Sequence, residues 1–158
     1  WLSPIDFLNR KRDILNDYVT GTAEWFFETH PFLAWANGTG PKTLYVKGIN
    51  GAGKSMLASL AAEHLINMKL PFLRKSSVSL FVFYDYRTPD NQRCVDLIGG
   101  MLRQLLSITR TIHPTIRELY HRLHEGGTRP STDTLAQCVL AMLEGFRTAF
   151  IIIDALDE

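Results

Sequence analysis

Eight residues constrain this chain more than any others: Gly48-Ile49-Asn50-Gly51-Ala52-Gly53-Lys54-Ser55, with the spacing G-x-x-x-x-G-K-S. That is the spacing of a phosphate-binding loop, the Walker A motif. Three glycines let a backbone curl closely around an anion through dihedral angles barred to residues with a Cβ. The amides from Gly48 through Asn50, Gly51, Ala52 and Gly53 to Met56 then point inward as a nest, at the positive end of the helix that follows. In that arrangement Lys54 reaches the β- and γ-phosphates, and the Ser55 hydroxyl ligates Mg²⁺.

The flanks fit. Thr43-Leu44-Tyr45-Val46 is a short β-rich run just before the loop, and Leu57, Leu60, Ala61, Leu65 and Met68 recur after it at helical spacing. The sequence therefore predicts strand, glycine-rich turn and helix, the context the motif requires.

At 158 residues the chain is one domain or part of one, and 46% hydrophobic residues suffice for a sizeable core. A net charge of +1 gives the whole molecule no drive towards nucleic acid or anionic membranes. No basic stripe is interleaved with aromatics, which weighs against a nucleic-acid enzyme. No apolar run approaches the roughly 20 residues that span a bilayer. Cys94 and Cys138 each fall on an apolar helical stripe, which predicts buried thiols in a reducing, cytoplasmic setting.

Residues 1–40 read as a helical lead-in. Ser3-Pro4-Ile5-Asp6 has the form of an N-cap, a proline at the first helical position and an acid at the third, opening a helix to about Tyr18. The charge run at 9–13 reads as a solvated face. Trp25, Phe26 and Phe27, with the turn at 31–36, predict an aromatic segment packed on the domain that follows. His64, on the apolar face of the loop's helix, reads as a core histidine. Arg74-Lys75 leads into Ser77–Tyr84, a nearly continuous apolar run suited to a strand covered on both faces. Asp85–Gln92 reads as a polar loop before a helix to about Thr109. Gly99-Gly100 inside that helix predicts either close approach of another backbone or a break. A helix after Pro114, ended by Gly126-Gly127, and one from Ser131 or Thr132 to Phe146 follow, and then a buried strand at 149–153.

That strand runs into Asp154-Ala155-Leu156-Asp157-Glu158, the Walker B pattern. Parallel sheets present functional groups at the carboxyl ends of their strands, which predicts Asp154 on the same rim as the loop, holding Mg²⁺ directly or through water. Either Glu158, with the longer reach, or Asp157 is the candidate to position the attacking water. No [NT]-K-x-D is present, and Asp157 breaks the D-x-x-G of switch GTPases, so adenine is favoured. The fold class predicted is α/β: a three-layer P-loop NTPase, a parallel sheet between helices, truncated after its Walker B strand.

At these residues the sequence resembles the NACHT class of STAND NTPases, above all the fungal set with ankyrin or WD40 repeats. The loop at 48–55 and Asp154–Glu158 carry the resemblance. Trp1-Leu2-Ser3-Pro4, Gly21-Thr22 with Trp25-Phe26, Leu44–Gly48 and the aromatic strand before Gln92 are similar too. It departs at Ala155, where animal members have Gly, and at Thr22-Ala23-Glu24, where Gly often follows the Thr. The resemblance implies that residues 41–158 are the N-terminal part of a NACHT-type domain, with Gly21 and Thr22 lining the adenine pocket. It also implies a switch in which ADP holds a closed monomer and ATP permits self-association and signalling, as in innate immunity and programmed cell death, with slow hydrolysis.

The related ATPase architecture sets a further strand between the Walker A and Walker B strands. A second expectation follows: a nucleotide-binding or scaffold fragment without turnover, its sheet lacking that strand and leaving parallel-strand hydrogen bonds unpaired.

Overall fold

The apolar run after the fourth helix forms the strand about which the rest packs. The computed structural model describes residues 2–67, 77–84, 92–109 and 112–155. In chain order it contains α1 (Phe7–Asn16), α2 (Glu24–Phe27), α3 (His30–Ala36), α4 (Lys54–Asn67), β1 (Ser77–Phe83), α5 (Cys94–Ile108), α6 (Pro114–His124), α7 (Thr132–Leu143) and β2 (Thr148–Asp154). The strands β1 and β2 pair in parallel, in register from Ser77 with Thr148 to Phe83 with Asp154.

β1 is covered on both faces, as its composition demands. Val78 and Leu80 enter a cluster with Leu102 and Leu105 of α5, Ile116 and Leu119 of α6, and Leu135, Cys138 and Val139 of α7. Phe81 and Phe83 face the other way, against Phe7 of α1 and Ala62 of α4. Alternation along the strand sends these side chains to opposite faces.

The N-terminal residues dock on α5 through its two glycines. A Cβ at Gly99 would strike the carbonyl of Leu2, and one at Gly100 the ring of Phe7. Close approach is thus the reason for the pair, and α5 runs unbroken through it. The start of α1 differs from expectation. Asp6 is the N-cap, accepting from Asn9 N at 3.1 Å, while the Ser3 hydroxyl accepts from Ile5 N within its own turn. Asp6 also accepts from Arg103 Nη2 at 3.0 Å, an anchor to α5 that the local pattern does not reveal. Within the charge run, Lys11 turns inward to Glu63 of α4 at 3.4 Å and over the Phe81 ring; Arg12 stays exposed.

The aromatic lead-in packs on the loop's helix as predicted. Phe27 and Phe32 cluster with Ala61 and Leu65 of α4 and Phe150 of β2. His64 stacks on Phe27 with ring centres 4.4 Å apart, edge-on to Phe32, and burial pushes its imidazole below the ordinary value.

Three expectations need correction. Thr43–Val46 joins no ladder: the sheet among the described residues has two strands, β1 and β2. β2 is only half buried, with Ile151 44% and Ile153 49% exposed, because no described element covers that face. Cys94 is exposed at the start of α5, whereas Cys138 is buried and its thiol pushed up by burial. Met68, Arg74-Lys75 and most of the loop at 85–92 lie outside the described residues, as do Asp157 and Glu158.

Candidate functional site

Two of the three glycines in the turn at 48–53 take the backbone expected of them; Gly48 does not, and its place is set by close contact with Ala52. Gly51 and Gly53 adopt φ of +79° and +82°, in the left-handed region, with open space where a Cβ would stand. Ala52 N donates to Ile49 O at 3.1 Å, tightening the curl. α4 begins directly at Lys54, so the amides of its first turn have no acceptor within the helix. Lys54 Nζ donates to Gly48 O at 3.0 Å and Ile49 O at 3.2 Å, which holds the ammonium within the loop.

Asp154 closes β2. The residue is 8% exposed, and its carboxylate has no hydrogen-bond partner among the described residues. The carboxylate is not sealed from solvent: the residue lines a cleft, where a hard oxygen donor is open to a cation. The backbone then turns at Ala155 with φ of +56°, left-handed for a residue with a Cβ. That is the position where the sequence departs from glycine.

The two pieces share one cleft of about 710 Å³. Lys47, Gly48 and Lys54 line it from the loop, Asp154 and Ala155 from the strand end, and Phe32 and Trp35 from the lead-in. The run at 43–47 forms one wall and Ile151–Ile153 the other. Tyr84 N donates to Asp154 O, so the strand alternation sends the backbone groups of Ile151 and Ile153 away from β1, towards the cleft.

Not every candidate lines this cleft. Ser55 is exposed, and its carbonyl accepts from the Ser59 hydroxyl at 2.8 Å. Asn50, Gly51, Ala52 and Gly53 are exposed on the loop outside the lining, and Met56 is half-buried. Gly21 and Thr22 sit on the turn before α2, also outside the lining. That turn is organised by Glu24, whose carboxylate accepts from Tyr18 Oη at 2.5 Å and Gly21 N at 2.8 Å. Those bonds hold Glu24 at about 2 and push the Tyr18 phenol up.

Two buried polar constellations lie outside any motif. Asp96, at the start of α5, pairs with Arg129 and with Arg93 Nε at 3.2 Å. Burial pushes its carboxyl up, but the two guanidinium groups outweigh that and leave it below the ordinary range. Gln104 pairs with the backbone of Phe81. In the sequence both residues are ordinary polar members of an amphipathic helix, and nothing in their spacing marks them.

Residues 21–158 match the family described as nephrocystin 3, N-terminal. The chain belongs to the nephrocystin 3 N-terminal family. This is a different family from the NACHT class that the motifs resemble. The match takes in α2 to β2 and the whole cleft, with α1 before it. Searches of curated proteins and of solved structures return no match. No helix among the described residues of this nephrocystin 3 N-terminal chain is long and apolar enough to cross a membrane.

Proposed function

We propose that the chain is the ATP- and ADP-binding part of a NACHT-type STAND switch on a three-layer P-loop fold, acting in the cytoplasm. The observation that carries this reading is Asp154. A carboxylate without a partner among the described residues shares a cleft with the Lys54 ammonium and with Gly48, the first glycine of the phosphate-type loop.

The residues present fit a magnesium nucleotide. Loop amides and Lys54 would bind the phosphates, as cation and dipoles converging on an anion. Ser55 and Asp154 would hold Mg²⁺, both being hard oxygen donors. The ion would supply neutralisation of charge between the phosphates. Lys54 would exchange the carbonyls of Gly48 and Ile49 for phosphate oxygens, so binding would reorganise the loop. Glu158 or Asp157 would orient water for slow hydrolysis, and Gly21 and Thr22 would contact adenine once a nucleotide draws their turn inward. Self-association would follow exchange of ADP for ATP, in innate-immune or cell-death signalling.

The open cleft between 43–47 and β2 favours a second reading, binding without turnover. Titration of Mg²⁺-ATP and Mg²⁺-ADP into the full-length protein and its Lys54→Ala variant tests the first. Loss of affinity in the variant supports it; equal affinity refutes it. Nucleotide binding without phosphate release selects the second.

A further inference from the structure

Lys47 stands immediately before the first loop glycine, outside the eight-residue motif. It is exposed, lines the cleft with Lys54 and Asp154, and has no carboxylate partner among the described residues. Tyr45 and Lys47, two residues apart in the run at 43–47, are both exposed and both line the cleft. Leu44, before them, packs against the aromatic lead-in. Lys47 Nζ lies over the Tyr45 ring, 5.4 Å from its centre. A ring face attracts a cation, which confines the ammonium at the cleft wall without neutralising it.

Lys54 sits on the opposite side of the same glycine, bound to the Gly48 carbonyl. Among the described residues, the charged groups that line the cleft are thus two ammonium groups, Lys47 and Lys54, and one carboxylate, Asp154. The Lys11 ammonium, by contrast, is already paired with Glu63. An uncommitted cation held over an aromatic ring at the mouth of a phosphate loop is suited to a polyanion.

We propose that Lys47 is a second phosphate-binding cation of the cleft, held in place by Tyr45, and that it raises affinity for the polyphosphate tail of the nucleotide. This rests on the nucleotide reading above. The interaction is a point charge acting across partly solvated space, worth about a fivefold change in affinity. It weakens as salt screens it.

The test is calorimetric titration of the full chain with Mg²⁺-ATP, Mg²⁺-ADP and adenosine at low and moderate salt. Lys47→Met is expected to weaken Mg²⁺-ATP binding about fivefold. It should leave adenosine unchanged and flatten the salt dependence, while Lys47→Arg restores affinity. Tyr45→Leu should give part of the same loss. Because both side chains are exposed, matched thermal unfolding serves as the control for folding. Wild-type affinity in Lys47→Met, alongside loss in Lys54→Ala, overturns the proposal and leaves the nucleotide reading standing. Failure of the wild-type chain to bind Mg²⁺-ATP removes that reading, and this proposal with it.

Discussion

The side-chain amide of Gln104 hydrogen-bonds both backbone groups of Phe81, accepting from N–H at 3.1 Å and donating to C=O at 2.7 Å. One α5 residue thereby does for the middle of β1 what a neighbouring strand would do, and it does so on the edge away from β2. Because Gln104 is 2% exposed, no water replaces it at this edge. The pair is therefore closed on one side at Phe81 and open on the β2 side, where the cleft lies.

Gln104→Leu should destabilise the fold by about 3 kcal/mol, since it strands a buried N–H and a buried C=O at once. Urea unfolding measures it. A loss below about 0.5 kcal/mol, the range of a surface change, would show that another group satisfies Phe81.

Gly100→Ala tests the docking of the N-terminal residues. Alanine alone would favour the helix by about 1 kcal/mol, but its methyl would meet the Phe7 ring. We expect net destabilisation of about 1–3 kcal/mol from overpacking, with faster proteolysis at residues 2–7. Stabilisation would mean that α1 is not seated on α5.

Asp96 carries a pH signature. Its folded carboxyl lies below the ordinary 3.8, so the stability it contributes is full above that value and is lost as pH falls through the folded value. Arg129→Met leaves a buried carboxylate with Arg93 alone and should cost about 3 kcal/mol at neutral pH. The deficit against wild type should shrink below about pH 4, as Asp96 protonates. A deficit independent of pH would assign the loss to packing of the Arg129 stem.

Ala155→Gly should relieve the left-handed strain at the end of β2. The strain costs about 1–2 kcal/mol, and glycine returns roughly half of that as unfolded-state entropy, leaving a gain of about 0.5–1 kcal/mol. Thermal unfolding at several scan rates detects a gain of that size. A loss would show that the Ala155 methyl makes a packing contact worth more than the strain.

Features set by short-range pattern were legible in the sequence. The run at 77–83 announced a strand buried on both faces; Gly99-Gly100 announced a close approach or a break, and the structure has the close approach; of Ser131 and Thr132 as caps, Ser131 takes the role, accepting from Thr134 N at 3.2 Å. The bends at Gly51 and Gly53 followed from their residue type. What depended on distant partners was not legible. Ser3-Pro4 looked the better cap, yet Asp6 took the role because it also binds Arg103, 97 positions along the chain. The run at 43–46 has strand composition, but a strand also needs an edge to pair with, and among the described residues the cleft stands between it and β2. Gly21 is held on its own turn by Glu24 and Thr22 by the carbonyl of Val19, local bonds that the family resemblance does not encode.

The central claim is that Lys54 and Asp154 serve one site. The most direct measurement is the Mg²⁺ dependence of ATP affinity in the full-length wild type, Lys54→Ala and Asp154→Asn. We predict that Lys54→Ala loses binding with or without Mg²⁺, and that Asp154→Asn retains weak binding which Mg²⁺ no longer strengthens. Affinities and Mg²⁺ responses unchanged in both variants would contradict the account.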